Sequence, residues 1–202
     1  FVDSEKSYWE MLEKLITHKV AGLDCEQQVN NDLSTIQIAV KDKVFIIDAM
    51  TLQKGLSKEA WMELGSKFFN NAKTVKLGCG IFHDITTIER FLPIKIDKKA
   101  SFIDLSVFGK NLFIIPRFKF PFHPEEQPGN NLGLSALTKL CFNKNLNKAL
   151  AISNWTVRPL RSEQLKYAAL DAHVALDIFH TINNILEQLN LSYKDVLKCQ
   201  AK

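Results

Sequence analysis

The sequence has 202 residues, 46% of them apolar, with a formal net charge of +4. That composition suits one domain with a sizeable core. No apolar run approaches a bilayer span and no signal peptide is visible, so membrane partners are excluded, while the mild positive charge admits a polyanionic partner without requiring one. Because the chain opens on Phe1 rather than Met, residues 1–202 read as a single domain excised from something longer, with its protein partners unspecified. Cys25, Cys79, Cys141 and Cys199 lack the close spacing of a metal site. Reduced thiols in an intracellular protein, cytoplasmic or nuclear, are the simpler expectation.

From Ser4 to His18, Tyr8, Met11, Leu12, Leu15 and Ile16 recur at helical spacing. Residues 20–26 follow as a strand, then a polar turn from Gln27 to Asp32. Segments 34–40 and 44–48 read as two further strands joined by Lys41-Asp42-Lys43, which makes a three-stranded antiparallel unit. Ser57 is a plausible cap for a helix through Trp61, Leu64 and Phe68. A strand from Thr74 to Ile81 passes Gly78 and Gly80 and hands over to a helix from about His83 to Phe91, after which Ser101 to Ile103 forms a fifth strand ending at Asp104. Alternation of strand and helix from there on implies parallel pairing. The predicted architecture is α/β, a mixed five-stranded sheet flanked by helices.

Residues 109–131 break the pattern with Pro116, Pro121, Pro124 and Pro128. Within them Arg117-Phe118-Lys119-Phe120 interleaves cations with aromatics, which describes either a grip on a nucleic-acid strand or a flap packing its phenylalanines on the body. A helix with Leu134, Leu137, Leu140 and Cys141, a polar linker, and the segment Ser153 to Leu160 lead to Ser162, the expected cap of a long helix to about Leu189. A short helix ends the chain.

Strand side chains alternate faces, so Asp24 and Glu26 point the same way, and like charges that close raise a pKa unless a cation lies between them. An isolated pair of this kind also describes a strand end facing water. Asp84 stands near a helix start, where the dipole favours a carboxylate in any protein. Tyr167 and Asp171 share one face of the long helix, among apolar neighbours that also suit a structural acid. Asp48, Asp104 and Asp177 read as structural or solvated.

Taken together these elements resemble the tyrosine-type DEDD 3′→5′ exonucleases, a DnaQ-like and ribonuclease D-like group. The resemblance is carried by Gly22-Leu23-Asp24-Cys25-Glu26, Ile36-Gln37-Ile38-Ala39, Lys76 to Asp84 and Asp104-Leu105-Ser106. It continues through Leu132 to Leu137, Ser153-Asn154-Trp155, Arg158-Pro159-Leu160 and Gln164 to Ala172. Within the group the chain looks most like the branch of ribonuclease D, the Werner syndrome exonuclease domain and the Nibbler-type exonucleases. The histidine-type relatives place His where Lys166 stands, so the tyrosine class is indicated, and Gln27 departs from the aromatic that many members carry.

The resemblance implies a ribonuclease H-like fold, metal ligands at Asp24, Glu26, Asp84 and Asp171, and a water-orienting Tyr167. It further implies two Mg2+ or Mn2+ ions, with Asp24 bridging them, and release of nucleoside monophosphates from a nucleic acid with a free 3′ end, single-stranded RNA preferred. Cys25, His83, Arg158 and Arg161 are candidate substrate contacts. Arg158 equally suits an ion pair that fixes the Trp155 loop, because its fork fits carboxylate and phosphate alike. Trp155 reads as a packing anchor, and His173 and His180 as packing or surface residues. Two rival readings are a DNA exonuclease of the same class and a catalytically silent nucleic-acid-binding relative.

Overall fold

Residues 1–30, 32–99, 101–125 and 132–198 are described by a computed structural model. Helix α1 (Glu5–Leu15) begins because the Ser4 side chain accepts from Ser7 N, and it buries Tyr8, Met11, Leu12 and Leu15 on one stripe. Strands β1 (Val20–Gln27), β2 (Leu33–Val40) and β3 (Lys43–Ile47) pair antiparallel. Strands β4 (Val75–Gly78) and β5 (Phe102–Asp104) pair parallel, β4 with β1 and β5 with β4, giving the order β3-β2-β1-β4-β5. This is the predicted mixed five-stranded sheet.

The helices follow the predicted order with local corrections. Asp48 caps a short helix α2 (Ala49–Leu52) that the sequence reading does not contain. Helix α3 (Lys58–Leu64), capped by Ser57, continues as a π-helical turn over Gly65–Phe69. Helix α4 (Ile81–Phe91) starts two residues before the predicted His83, because Gly80 at φ 74° makes the turn that glycine adopts without penalty. Helix α5 (Leu105–Leu112) runs across Gly109, where a loop is predicted, since Leu105, Phe108 and Leu112 form a buried stripe. Helices α6 (Leu134–Phe142), α7 (Ser162–Gln188) and α8 (Tyr193–Lys198) complete the chain. Arg161, not Ser162, is the cap of α7: Gln164 Oε1 accepts from Arg161 N at 3.1 Å.

Of the two readings of Arg117 to Phe120, the described structure shows the flap. Phe120 is buried, Phe118 packs edge-on to it with centroids 5.1 Å apart, and Lys119 pairs with exposed Glu125. The end of the predicted loop, residues 126–131 with Pro128, and Cys199 lie outside the described residues. Cys25, Cys79 and Cys141 are free thiols. Among the described residues no helix is long and apolar enough to cross a membrane.

One face of the sheet, through Leu23, Ile36, Ile38 and Ile47, packs against α1, α3 and α4. On the other, Leu77 and Ile103 meet α5, α6 and α7. Helix α7 crosses this second face where β1 carries Gly22. A Cβ at Gly22 would lie 2.0 Å from the Ala172 carbonyl oxygen, so only glycine lets the helix backbone sit this close. The segment before α7 is locked by Arg158, which donates through Nε and Nη2 to the Asp48 carboxylate, 2.7 Å each, and through Nη1 to the Trp155 carbonyl at 2.8 Å. Ser34 Oγ donates to the same carbonyl at 2.6 Å. Burial pushes the Asp48 carboxyl up, but the Arg158 fork and the Thr51 hydrogen bonds outweigh it and hold the group below the ordinary range.

Three stability outcomes are expected. Gly22→Ala should cost about 2–3 kcal/mol in urea unfolding, because the added methyl meets backbone rather than a side chain that can move. Asp48→Ala, which strands a half-buried guanidinium, should cost about 3–5 kcal/mol. Glu63→Ala, which breaks the exposed Lys67–Glu63 pair, should cost less than about 0.5 kcal/mol.

Candidate active site

Asp24 and Glu26 stand two residues apart on β1, on the face that α7 covers, and lie opposite Gln37 and Thr35 of β2. Helix α7 brings Asp171 and, one turn earlier, Tyr167 over the same spot. One ligand oxygen from each of Asp24, Glu26 and Asp171 lies within 4.8 Å of the others. The Tyr167 hydroxyl donates to the Asp171 carboxylate, and the Tyr167 ring rests 6.2 Å from that of buried Trp155. Asp84 arrives from the opposite layer, in the first turn of α4 just past the carboxyl end of β4. It is buried and charge-coupled to Asp24 and Glu26, yet stands outside the three-acid cluster.

The electrostatics are those of anions gathered with too little compensation. Burial, then the Asp171 charge, pushes Asp24 up to about 7, against the pull of the Cys25 backbone amide and Lys148. Burial followed by the charges of Asp24, Asp171 and Asp84 takes Glu26 to about 9. Asp84 reaches about 9 through burial and then the charges of Asp24 and Asp104. Burial also raises Asp171 despite the hydrogen bond from Tyr167 and the Lys148 charge. Burial and the Asp171 charge together raise the Tyr167 phenol, which therefore stays protonated at neutral pH.

Asp24, Glu26, Tyr167 and Asp171 line a cavity of about 400 Å³. Cys79, Ser106 and Lys148 complete its wall. Lys148 is the residue that sequence reasoning missed: it lies in the polar linker after α6, and a single lysine in an aperiodic stretch carries no signal. Of the four proposed substrate contacts, Cys25 borders the cavity. His83 is exposed, its Nε2 lying 3.1 Å from Gln27 Nε2. Arg161 is exposed at the head of α7. Of the two readings of Arg158, the structure shows the ion pair: its fork is taken by Asp48, Ser34 and the Trp155 carbonyl, so it fixes the loop.

The donor set fits a hard divalent cation. It offers carboxylate oxygens, whereas the Cys79 thiol is pushed up to about 12 by burial and stays protonated. Each acid binds its proton more tightly in the folded chain than in the unfolded one. Its contribution to stability is therefore intact below about pH 4 and lost as pH rises through the folded-state values toward 9. In EDTA the Tm should fall between about pH 6 and pH 9; Asp24→Asn should flatten that fall, and Mn2+ should raise the Tm of the parent protein at the upper end. Superimposable pH profiles for parent and variant, by differential scanning fluorimetry, would contradict this.

Similarity to known proteins agrees with this geometry. The 3′-5′ exonuclease family matches residues 1–187. An exonuclease mut-7 homolog of Aedes aegypti is 33% identical over 205 residues, covering 97% of this chain and 28% of that protein, so the chain spans little more than a quarter of this relative. The crystal structure of the Aedes aegypti Nibbler EXO domain superimposes with a TM-score of 0.88 at 31% identity, covering 98% of this chain and 93% of that one. A Trypanosoma brucei RNase D in complex with RNA U12 shares the fold, with a TM-score of 0.69 at 20% identity over 90% of this chain and 61% of that one. With the family match spanning nearly the whole chain, this protein belongs to the 3′-5′ exonuclease family.

Proposed function

We propose that residues 1–202 act as one exonuclease domain that removes nucleoside monophosphates from the 3′ end of single-stranded RNA with the help of two divalent cations, Mg2+ or Mn2+. The observation that carries this reading is the convergence of Asp24, Glu26 and Asp171 within 4.8 Å beside a protonated tyrosine. Asp24, Glu26 and Asp171 would hold one cation, and Asp84 together with Asp24 the other. When bound, such a pair balances the acids and supplies the Lewis acidity that phosphodiester hydrolysis needs.

The protein's own groups divide the remaining work. Tyr167 cannot serve as a base, since its phenol is held protonated; it orients the attacking water and the scissile phosphate by hydrogen bonding. Its bond to Asp171 and its contact with Trp155 hold the ring in place. Lys148, whose charge is felt at Asp24 and Asp171, places an ammonium where a phosphate enters the cavity. RNA is favoured because a protein of the same fold is known in complex with RNA.

Three outcomes are expected on a 3′-labelled oligonucleotide in Mn2+. Asp24→Asn should abolish monophosphate release while the circular dichroism spectrum stays that of the parent. Tyr167→Phe should lower kcat by about 10²-fold, the usual size of effect when one orienting hydrogen bond is lost from a reaction site. The parent should degrade RNA faster than matched DNA and spare a blocked 3′ end. Full activity in Asp24→Asn would overturn the site assignment, and equal rates on RNA and DNA the substrate assignment.

A further inference from the structure

Strand β3 is an edge of the sheet, and its first half is left open. Its register with β2 pairs Val40 with Lys43, Ile38 with Phe45 and Ile36 with Ile47, beginning at the tight turn Lys41-Asp42. Backbone groups along a strand alternate sides, so those of Lys43, Phe45 and Ile47 turn inward to β2 and those of Val44 and Ile46 turn outward. The N-terminal segment confirms this sense: Val2 N donates to the Ile46 carbonyl and Asp48 N to the Val2 carbonyl, 2.9 Å each. Beyond Val2, the Val44 amide and carbonyl and the Ile46 amide have no backbone partner among the described residues. An open row of this kind is a template for one more strand.

The two flanks of the row say which strand it takes. On the α7 side lies a groove of about 430 Å³ whose apolar wall is Val44, Ala169 and Leu170. Lys41, Lys43 and Lys166 rim it against the single carboxylate of Asp42, and among the described residues none of the three lysines forms a salt bridge. On the other side a groove of about 300 Å³ separates β3 from α1, with Met11 and Phe45 in its wall and Lys14 beside Glu10. An added strand sends alternate side chains to the two flanks, so apolar residues suit its middle and carboxylates its ends, where the surplus cations stand. A second copy of this chain would instead bring the same lysines to the seam, and like charges facing each other across a strand pair are destabilising.

We propose that the open edge of β3 docks an extended acidic segment of a partner protein, which joins the sheet as a sixth strand. Main-chain bonds to Val44 and Ile46 hold it, and the lysine rim selects its charge. Neither groove shares a lining residue with the acid cavity, so the partner is seated without covering the carboxylates. This contact stands independently of the chemistry proposed above.

The test uses a fluorescein-labelled peptide of about nine residues, with valine and phenylalanine alternating at its centre and two glutamates at each end. Its fluorescence anisotropy should rise on titration with the protein, and the bound peptide should slow hydrogen exchange at the Val44 and Ile46 amides. Phe45 and Ile47, whose amides already face β2, should change little. Val44→Pro removes the outward N–H at a place where an edge strand tolerates proline. It should weaken binding at least about tenfold while the circular dichroism spectrum stays that of the parent. Val44→Thr keeps both the amide and the branched side chain, and should bind within about twofold of the parent. The double variant Lys41→Glu with Lys43→Glu should also weaken the peptide about tenfold, and should favour a version of it ending in lysines. No rise in anisotropy up to about 1 mM protein, or equal binding by the parent, Val44→Pro and the double variant, overturns the proposal. A parent dimer that Val44→Pro dissociates in sedimentation velocity overturns it as well, since the occupant would then be a second copy.

Discussion

The closeness of helix α7 to strand β1 governs the rest of the structure, and Gly22 sets it. With the Ala172 carbonyl oxygen 2.0 Å from where a Cβ would be, the helix rests on bare backbone. Two residues along the strand stands Asp24, and one residue back along the helix stands Asp171, so the contact that packs the helix also sets the separation of two acids. Ala168, Ala172 and Ala175, all buried, keep the underside of α7 flat enough for that approach. Packing and chemistry are here one contact.

Two kinds of buried acid show how the fold separates support from function. Asp48 has a complete set of partners, a guanidinium fork and the cap of α2, and its carboxyl lies below the ordinary range. Asp24, Glu26 and Asp84 have each other, and theirs lie well above. A fold selected for stability alone gains nothing by leaving like charges together in a low-dielectric pocket. The uncompensated group is what a cation site looks like from the protein side, and Lys148 offsets only part of it.

Support reaches the site through the segment before α7. Asp48 holds Arg158, Arg158 and Ser34 hold the Trp155 carbonyl, and the Trp155 ring lies against Tyr167. Gln164 adds a second tie, donating to Ser153 Oγ and the Asn154 carbonyl at 3.0 Å each. The phenol is thus held by residues outside the acid cluster, and Arg158, whose fork suited phosphate and carboxylate alike, is one of them through its bonds to Asp48 and the Trp155 carbonyl.

The sequence by itself determined the five strands and their pairing sense, the acids on one face of β1, and the tyrosine and aspartate one helical turn apart. Those follow from side-chain periods of two and 3.6 residues, which are local properties of the backbone. It left Asp84 placed by a helix start misjudged by two residues, and hid α5 because a glycine within eight residues resembles a loop. The tertiary structure alone decided that Asp24, Glu26 and Asp171 meet while Asp84 approaches from the other layer. It also decided that Arg158 turns to Asp48 and that Lys148 enters the cavity. Distances between residues far apart in the chain depend on how closely two backbones pack, and no local period encodes that.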